Sequence, residues 1–184
     1  MTDSFVGLTA DICAQAWSIT KAAFYNASSQ DLLDKQAGTI VVLRPNGNKV
    51  SALGCGLVNA AVSEFGTGTL MERGSGLHVL FADHISDVAN PRYTWYALQK
   101  ALLAERTGMP TGTVRETAPW LLNAGDIKWR GGVTENGLTV GFSGVQENFD
   151  NAIALTMIDW IQAILRQQFK DFLASDESFV PPIS

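Results

Sequence analysis

Apolar and polar positions along the chain separate into stretches of helical and of strand-like period. Ile12, Ala16, Ile19 and Ala23 recur at three- and four-residue steps, with Cys13, Trp17 and Phe24 widening the same face. Thr9 stands where an N-cap is needed and Asp11 falls in the first turn, so a helix is predicted over residues 10–25. TIVVLRPNGNKVSALG then offers β-branched runs on either side of Pro45-Asn46-Gly47-Asn48, the turn chemistry of a hairpin. GLHVLFADHI is short and apolar, and its period leaves strand and helix open.

Asn90-Pro91 reads as N-cap and first helical residue. Trp95, Leu98, Ala101 and Leu102 share a face, and Gly108 followed by Pro110 ends that second helix. A short helical turn is expected within Trp120–Gly125. Asn136-Gly137 lies between Gly132-Val133-Thr134 and the run Leu138–Ser143, which predicts another hairpin. From Asp150 onward Ile153, Met157, Trp160, Ile161, Ile164 and Phe172 mark a long amphipathic helix, and the residues from about 175 form a loose tail. The order helix, hairpin, helices, hairpin, helix implies an α+β domain over residues 1–184, an antiparallel sheet with helices packed on it.

Composition narrows the function classes. With 46% hydrophobic and 17% charged residues among 184, the chain has enough apolar surface to fold around one core without a metal or disulfide. A net charge of −5 with scattered basic residues argues against nucleic acid, which needs clustered Lys and Arg to displace counterions. Cys13 and Cys55 have no Cys or His at ligand spacing, so small buried thiols and no metal site are expected. The opening MTDSFVGLTADI carries acids where a signal peptide needs a positive region, and no apolar run is long enough to span a bilayer. A cytoplasmic protein without membrane contact is expected, in which the sequon at Asn26 is idle.

Among residues able to carry chemistry, GFSGV at Gly141–Val145 suggests a nucleophile elbow but has valine where that motif needs glycine, and no histidine follows Ser143. Neither phosphate-loop nor dinucleotide glycine spacing occurs. A glycine-lined strand end leading into a helix does suit an anionic group such as a carboxylate. His78 and His84, six positions apart with Asp83 beside the latter, are the only histidines. Their spacing fits no common zinc pattern, and a hydrogen-bonded structural pair and a proton-transfer pair both remain open. Asp126, Lys128 and Arg130 alternate like the solvated side of a strand. Arg92 and Lys100 lie on the second helix, where solvent is the default place for a long cation. Trp129, beside Arg130 and the glycines, is the tryptophan placed to meet a ligand.

Gly131-Gly132-Val133, Asn136-Gly137, Gly141-Phe142-Ser143-Gly144 and Asn148-Phe149-Asp150 together resemble the HbpS/GlcG family, also found as the C-terminal domain of PduO-type proteins and described as heme-binding or heme-degrading. In that family a glycine pair, a turn, a Gly-x-x-Gly-Val-Ser-Gly strand and a Glu-Gln-Asp helix start follow in this order; Leu138 stands where that strand has its first glycine. Leu8-Thr9, the 39–54 segment and Gln99-Lys100-Ala101 extend the likeness to about three quarters of the chain. The resemblance implies a profilin-like fold, about five antiparallel strands flanked by helices, and a homo-oligomer. It also implies heme as a cofactor, but Gly47-Asn48 replaces the family's Gly-His, and residues 56–89, which hold both histidines, look like an insertion.

The readings that follow are a small-molecule-binding domain, an enzyme and a structural oligomer. In the first, an organic acid or heme meets Lys100, Trp129, Arg130, Gly131, Gly132, Ser143 and Gly144. In the second, a cofactor-independent isomerase, cyclase or lyase uses His78, Asp83 and His84. Hemin is expected to bind weakly.

Overall fold

The computed structural model describes residues 7–43, 79–86 and 89–174 of the chain. Helix α1 (Ala10–Ser29) starts as its sequence predicts, the Thr9 side chain accepting from the Ile12 amide at 3.3 Å. Strand β1 (Thr39–Leu43) forms where the first run of the expected hairpin lies, but both its edges are taken, by Val79–His84 and by Leu138–Ser143, so the pairing expected across Pro45–Asn48 is corrected; that turn and the second run lie outside the described residues. The ambiguous segment resolves as strand β2 (Val79–His84). Helix α2 (Pro91–Thr107) has the Asn90 side chain accepting from the Arg92 amide at 3.0 Å and ends on Gly108 in the left-handed conformation.

The sequence reading missed helix α3 (Thr111–Thr117), whose threonines and single valine give no helical apolar period, and a 3-10 turn at Pro119–Leu121 occupies part of the predicted helical turn. Strands β3 (Gly132–Glu135) and β4 (Leu138–Ser143) flank Asn136 and Gly137, both at positive φ as a two-residue hairpin loop requires. Helix α4 (Glu147–Leu173) closes the described chain. The expected strand character around Asp126–Arg130 is corrected. Asp126 instead accepts from the Asn123 amide and from Arg106, which ties this stretch into a loop.

The described sheet has four strands in the order β2-β1-β4-β3, all antiparallel, against the five expected. Alternation along β1 divides the core. Ile40 and Val42 join Val140 and Phe142 of β4 against α1 and α4, while Val41 and Leu43 meet Ala97, Leu98 and Ala101 of α2. The architecture is therefore α+β, with α1 and α4 on one face of the sheet and α2 on the other.

Helix α2 lies unusually close to that sheet because Gly132 and Gly141 are cross-strand partners beneath it. A Cβ on Gly132 would stand 2.0 Å from the Lys100 carbonyl oxygen, and one on Gly141 would stand 2.0 Å from that of Ala97. Only glycine at both places lets helix backbone rest on strand backbone.

Candidate functional site

The approach of α2 carries Lys100 inside the protein, where sequence reasoning expected solvent. The residue is 1% exposed. Its Nζ donates to the Asp150 carboxylate at 2.6 Å, to the Phe142 carbonyl at 3.0 Å and to Ser143 Oγ at 3.2 Å, so all three ammonium protons have acceptors. Asp150 in turn accepts from the Val145 amide at 3.0 Å and from that of Gly144. One ion pair thus ties α2, the end of β4 and the first turn of α4 together. Burial pushes the Lys100 pKa down and that of Asp150 up, and each partner's charge opposes the other's shift.

Beside this pair opens a cavity of about 510 Å³. Helix α2 supplies Arg92, Tyr93, Tyr96 and Lys100, whose spacing of three and four puts them along one side. The β4–α4 turn supplies Ser143 to Glu147, the loop before β3 supplies Trp129, and the segment after α1 supplies Lys35. Helix α4 begins here behind its N-cap Gln146, which makes no side-chain cap because its side-chain carbonyl oxygen accepts from the Asp34 amide at 3.3 Å.

The charges are unevenly paired. Glu147 receives both terminal nitrogens of Arg115, at 2.8 and 3.3 Å, and the Arg130 amide at 3.4 Å. The Arg115 hydrogen bonds, foremost among these effects, hold its pKa below the usual carboxylate range. Arg92 gives its Nε to the Tyr96 hydroxyl at 3.2 Å and stands 5.4 Å over that ring. Among the described residues neither Arg92 nor Lys35 meets a carboxylate. The ionised lining therefore has a surplus of positive charge facing the ends of α2 and α4.

Lys100, Trp129, Ser143 and Gly144, all expected at the site, line this cavity. Gly131 and Gly132 lie behind its wall, packed on Lys100, and Arg130 turns its guanidinium to Glu116 on α3. Arg92, Tyr93 and Tyr96 were not picked out from the sequence as a group. Their signal is legible in retrospect, a cation and two tyrosines within the first two turns after an N-cap.

In the other candidate cluster Asp83 and His84 start from opposite faces of the sheet yet remain in contact, the Asp83 carboxylate accepting from the His84 amide at 2.8 Å. His84 pairs in register with Thr39, and Thr39 with Ser143, so these three side chains share the α2 face, with His84 about 10 Å from Ser143 at two strand spacings. Among the described residues its buried Nδ1 has no hydrogen-bond partner. Asp83 points to the opposite face, where its carboxylate accepts from Trp17 Nε1 at 2.8 Å and Lys21 Nζ at 2.7 Å; its other oxygen stands 3.6 Å from His84 Nδ1. His78 lies outside the described residues. Cys13 is buried, and that burial pushes its thiol up to about 12, which makes it chemically quiet.

Burial alone would raise the Asp83 pKa, but the hydrogen bonds from Lys21, the His84 amide and Trp17 together hold it below the ordinary value. A lowered folded-state pKa contributes stability that is complete above pH of about 4 and is lost as pH falls through the folded value. Asp83→Asn is accordingly expected to flatten the acid limb of a stability-versus-pH curve. An unchanged limb in urea titrations from pH 6 to pH 2.5 would reject this.

No helix among the described residues is long and apolar enough to cross a membrane. No family model matches the chain, and no curated protein matches it. Among solved structures the fold is similar to that of Klebsiella pneumoniae protein ORFY, of the family DUF336, with a TM-score of 0.50 and 17% identity over 82% of this chain and 88% of that one. At this identity the likeness concerns the fold alone, an α+β arrangement similar to that of a DUF336 protein.

Proposed function

We propose that the chain is a small-molecule-binding domain whose ligand is an organic acid held in the cavity between α2 and the start of α4. The observation that carries this reading is the positive surplus there: Arg92 and Lys35 line the cavity without a carboxylate partner among the described residues, while Glu147 and Asp150 are each matched by a cation. The start of α4 adds the positive end of a helix dipole at the same place.

Native mass spectrometry of the protein as isolated, followed by calorimetric titration with short carboxylates, tests the proposal. Arg92→Gln is expected to weaken binding by roughly 10-fold or more, the worth of one charge-assisted hydrogen bond. A full affinity in that variant would remove Arg92 from the site.

Two further expectations accompany the reading. Hemin is expected to bind weakly, because Gly47-Asn48 stands where the HbpS/GlcG family carries Gly-His. A tight one-to-one Soret band that His84→Ala abolishes would reverse this. A homo-oligomer is also expected, supported by the outward apolar side chains Ile19, Tyr25, Leu155 and Trp160 on α1 and α4. Sedimentation showing only monomer at micromolar concentration would dismiss it.

A second reading, a cofactor-independent isomerase, cyclase or lyase, has one observation in its favour: His84 lies on the same face as Ser143, its buried Nδ1 3.6 Å from Asp83 and without a hydrogen bond among the described residues. As a general acid or base, His84 would be worth about 10²–10⁴ in turnover. Unchanged turnover in His84→Ala would end that assignment.

A further inference from the structure

We infer that the acid taken by this cavity is an aromatic carboxylate, of one or two rings, with its carboxylate at Arg92 and its ring between the tyrosines of α2 and Trp129. The inference rests on the organic-acid reading and narrows it.

Three observations carry it. The first is the state of Arg92. Its Nε donates to the Tyr96 hydroxyl and its guanidinium lies over the Tyr96 ring, so this exposed side chain is laid along the cavity mouth with its terminal nitrogens free of partners among the described residues. A guanidinium laid on an aromatic ring presents its fork to a carboxylate.

The second is the make-up of the walls. Tyr93 and Tyr96 come from one side and Trp129 from another, and they are the aromatic residues of the lining. Trp129 is 45% exposed and has the Lys128 ammonium 4.8 Å from its ring centroid. An indole left this open to solvent has apolar area still to bury, and another ring covers it best by offset or edge contact.

The third is size. A space of about 510 Å³ lies within the range of sites for small organic molecules, and is generous for a two- to four-carbon acid that would leave the three aromatic rings wet. Burial of the ligand's ring is also what separates aromatic from aliphatic acids energetically, since the carboxylate contact is common to both.

Calorimetric titration of the full chain with 1-naphthoate, benzoate, succinate, inorganic phosphate and benzyl alcohol tests the inference. Naphthoate or benzoate is expected to bind at least 10-fold more tightly than succinate, phosphate or the neutral alcohol. Arg92→Gln and Trp129→Ala should each weaken the aromatic acid by about 10-fold. Trp120→Ala, at a ring 77% exposed and away from the cavity lining, should leave it unchanged. Circular dichroism of each variant establishes that it is folded.

Succinate binding as tightly as naphthoate, or full naphthoate affinity in Trp129→Ala, would overturn the aromatic class while leaving the organic-acid reading standing. Preference for phosphate would overturn the carboxylate. Equal binding of benzyl alcohol would show that the anion contributes nothing, and no binding of any acid would end both readings together.

Discussion

Lys100→Met is expected to destabilise the protein by about 3–5 kcal/mol, the cost of leaving one member of a buried ion pair without its partner. The substitution removes all three hydrogen bonds of the ammonium and strands the Asp150 carboxylate away from water. Asp150 can then stay charged at a high desolvation cost or take up a proton, and protonation weakens its grip on the Gly144 and Val145 amides that shape the β4–α4 turn. Urea unfolding at pH 7 measures the loss. Lys100→Met combined with Asp150→Leu should recover a good part of it, because removing both charges removes the stranded one. A loss below 1 kcal/mol in the single variant would mean that the pair does not brace the site.

Gly141→Ala should cost about 3 kcal/mol, the upper end of what extra atoms in a packed core cost. The added Cβ would fall 2.0 Å from the Ala97 carbonyl oxygen and 3.0 Å from the Ala101 Cβ; the first of these is a clash with backbone that no rotamer change relieves. Helix α2 must rise from the sheet, and Arg92, Tyr93, Tyr96 and Lys100 rise with it. Ligand affinity should therefore fall together with stability, in a residue that never touches the cavity. Gly132→Ala should behave alike, and the two together should cost less than their sum, since a helix already displaced by one methyl makes room for its register partner. Additive losses would show that α2 yields locally at each glycine.

Where a structural outcome depends on a few neighbouring residues, the sequence discloses it. Thr9 before an acidic first turn, Asn90-Pro91 ahead of α2, Gly108 behind it, and Asn136-Gly137 between two short runs each do what their local chemistry dictates. The helical periods of α1 and α4 are equally plain. The burial of Lys100 is not, because it depends on glycines more than thirty positions away that the hairpin brings under α2. Pairing of β1 with both β2 and β4 is a choice among distant partners that alternation cannot make. Nor does the Asp83-His84 dipeptide reveal that successive strand residues face opposite sides until the segment is known to be a strand. At the site, the glycine motif located one wall, and the wall from α2 emerged only with the packing.

The contact of α2 with Gly132 and Gly141 has a consequence for how such a domain diversifies. Because helix backbone sits on strand backbone there, the separation of the two is set without large side chains, and substitutions in the first turns of α2 need not be compensated beneath it. Residues 92, 93 and 96, together with 129 across the opening, are thus free to vary as a set, as loops do on a rigid scaffold. A library randomised at those four positions should retain folded members at high frequency and yield new ligand preferences, whereas one randomised at Gly132 and Gly141 should return almost only glycine.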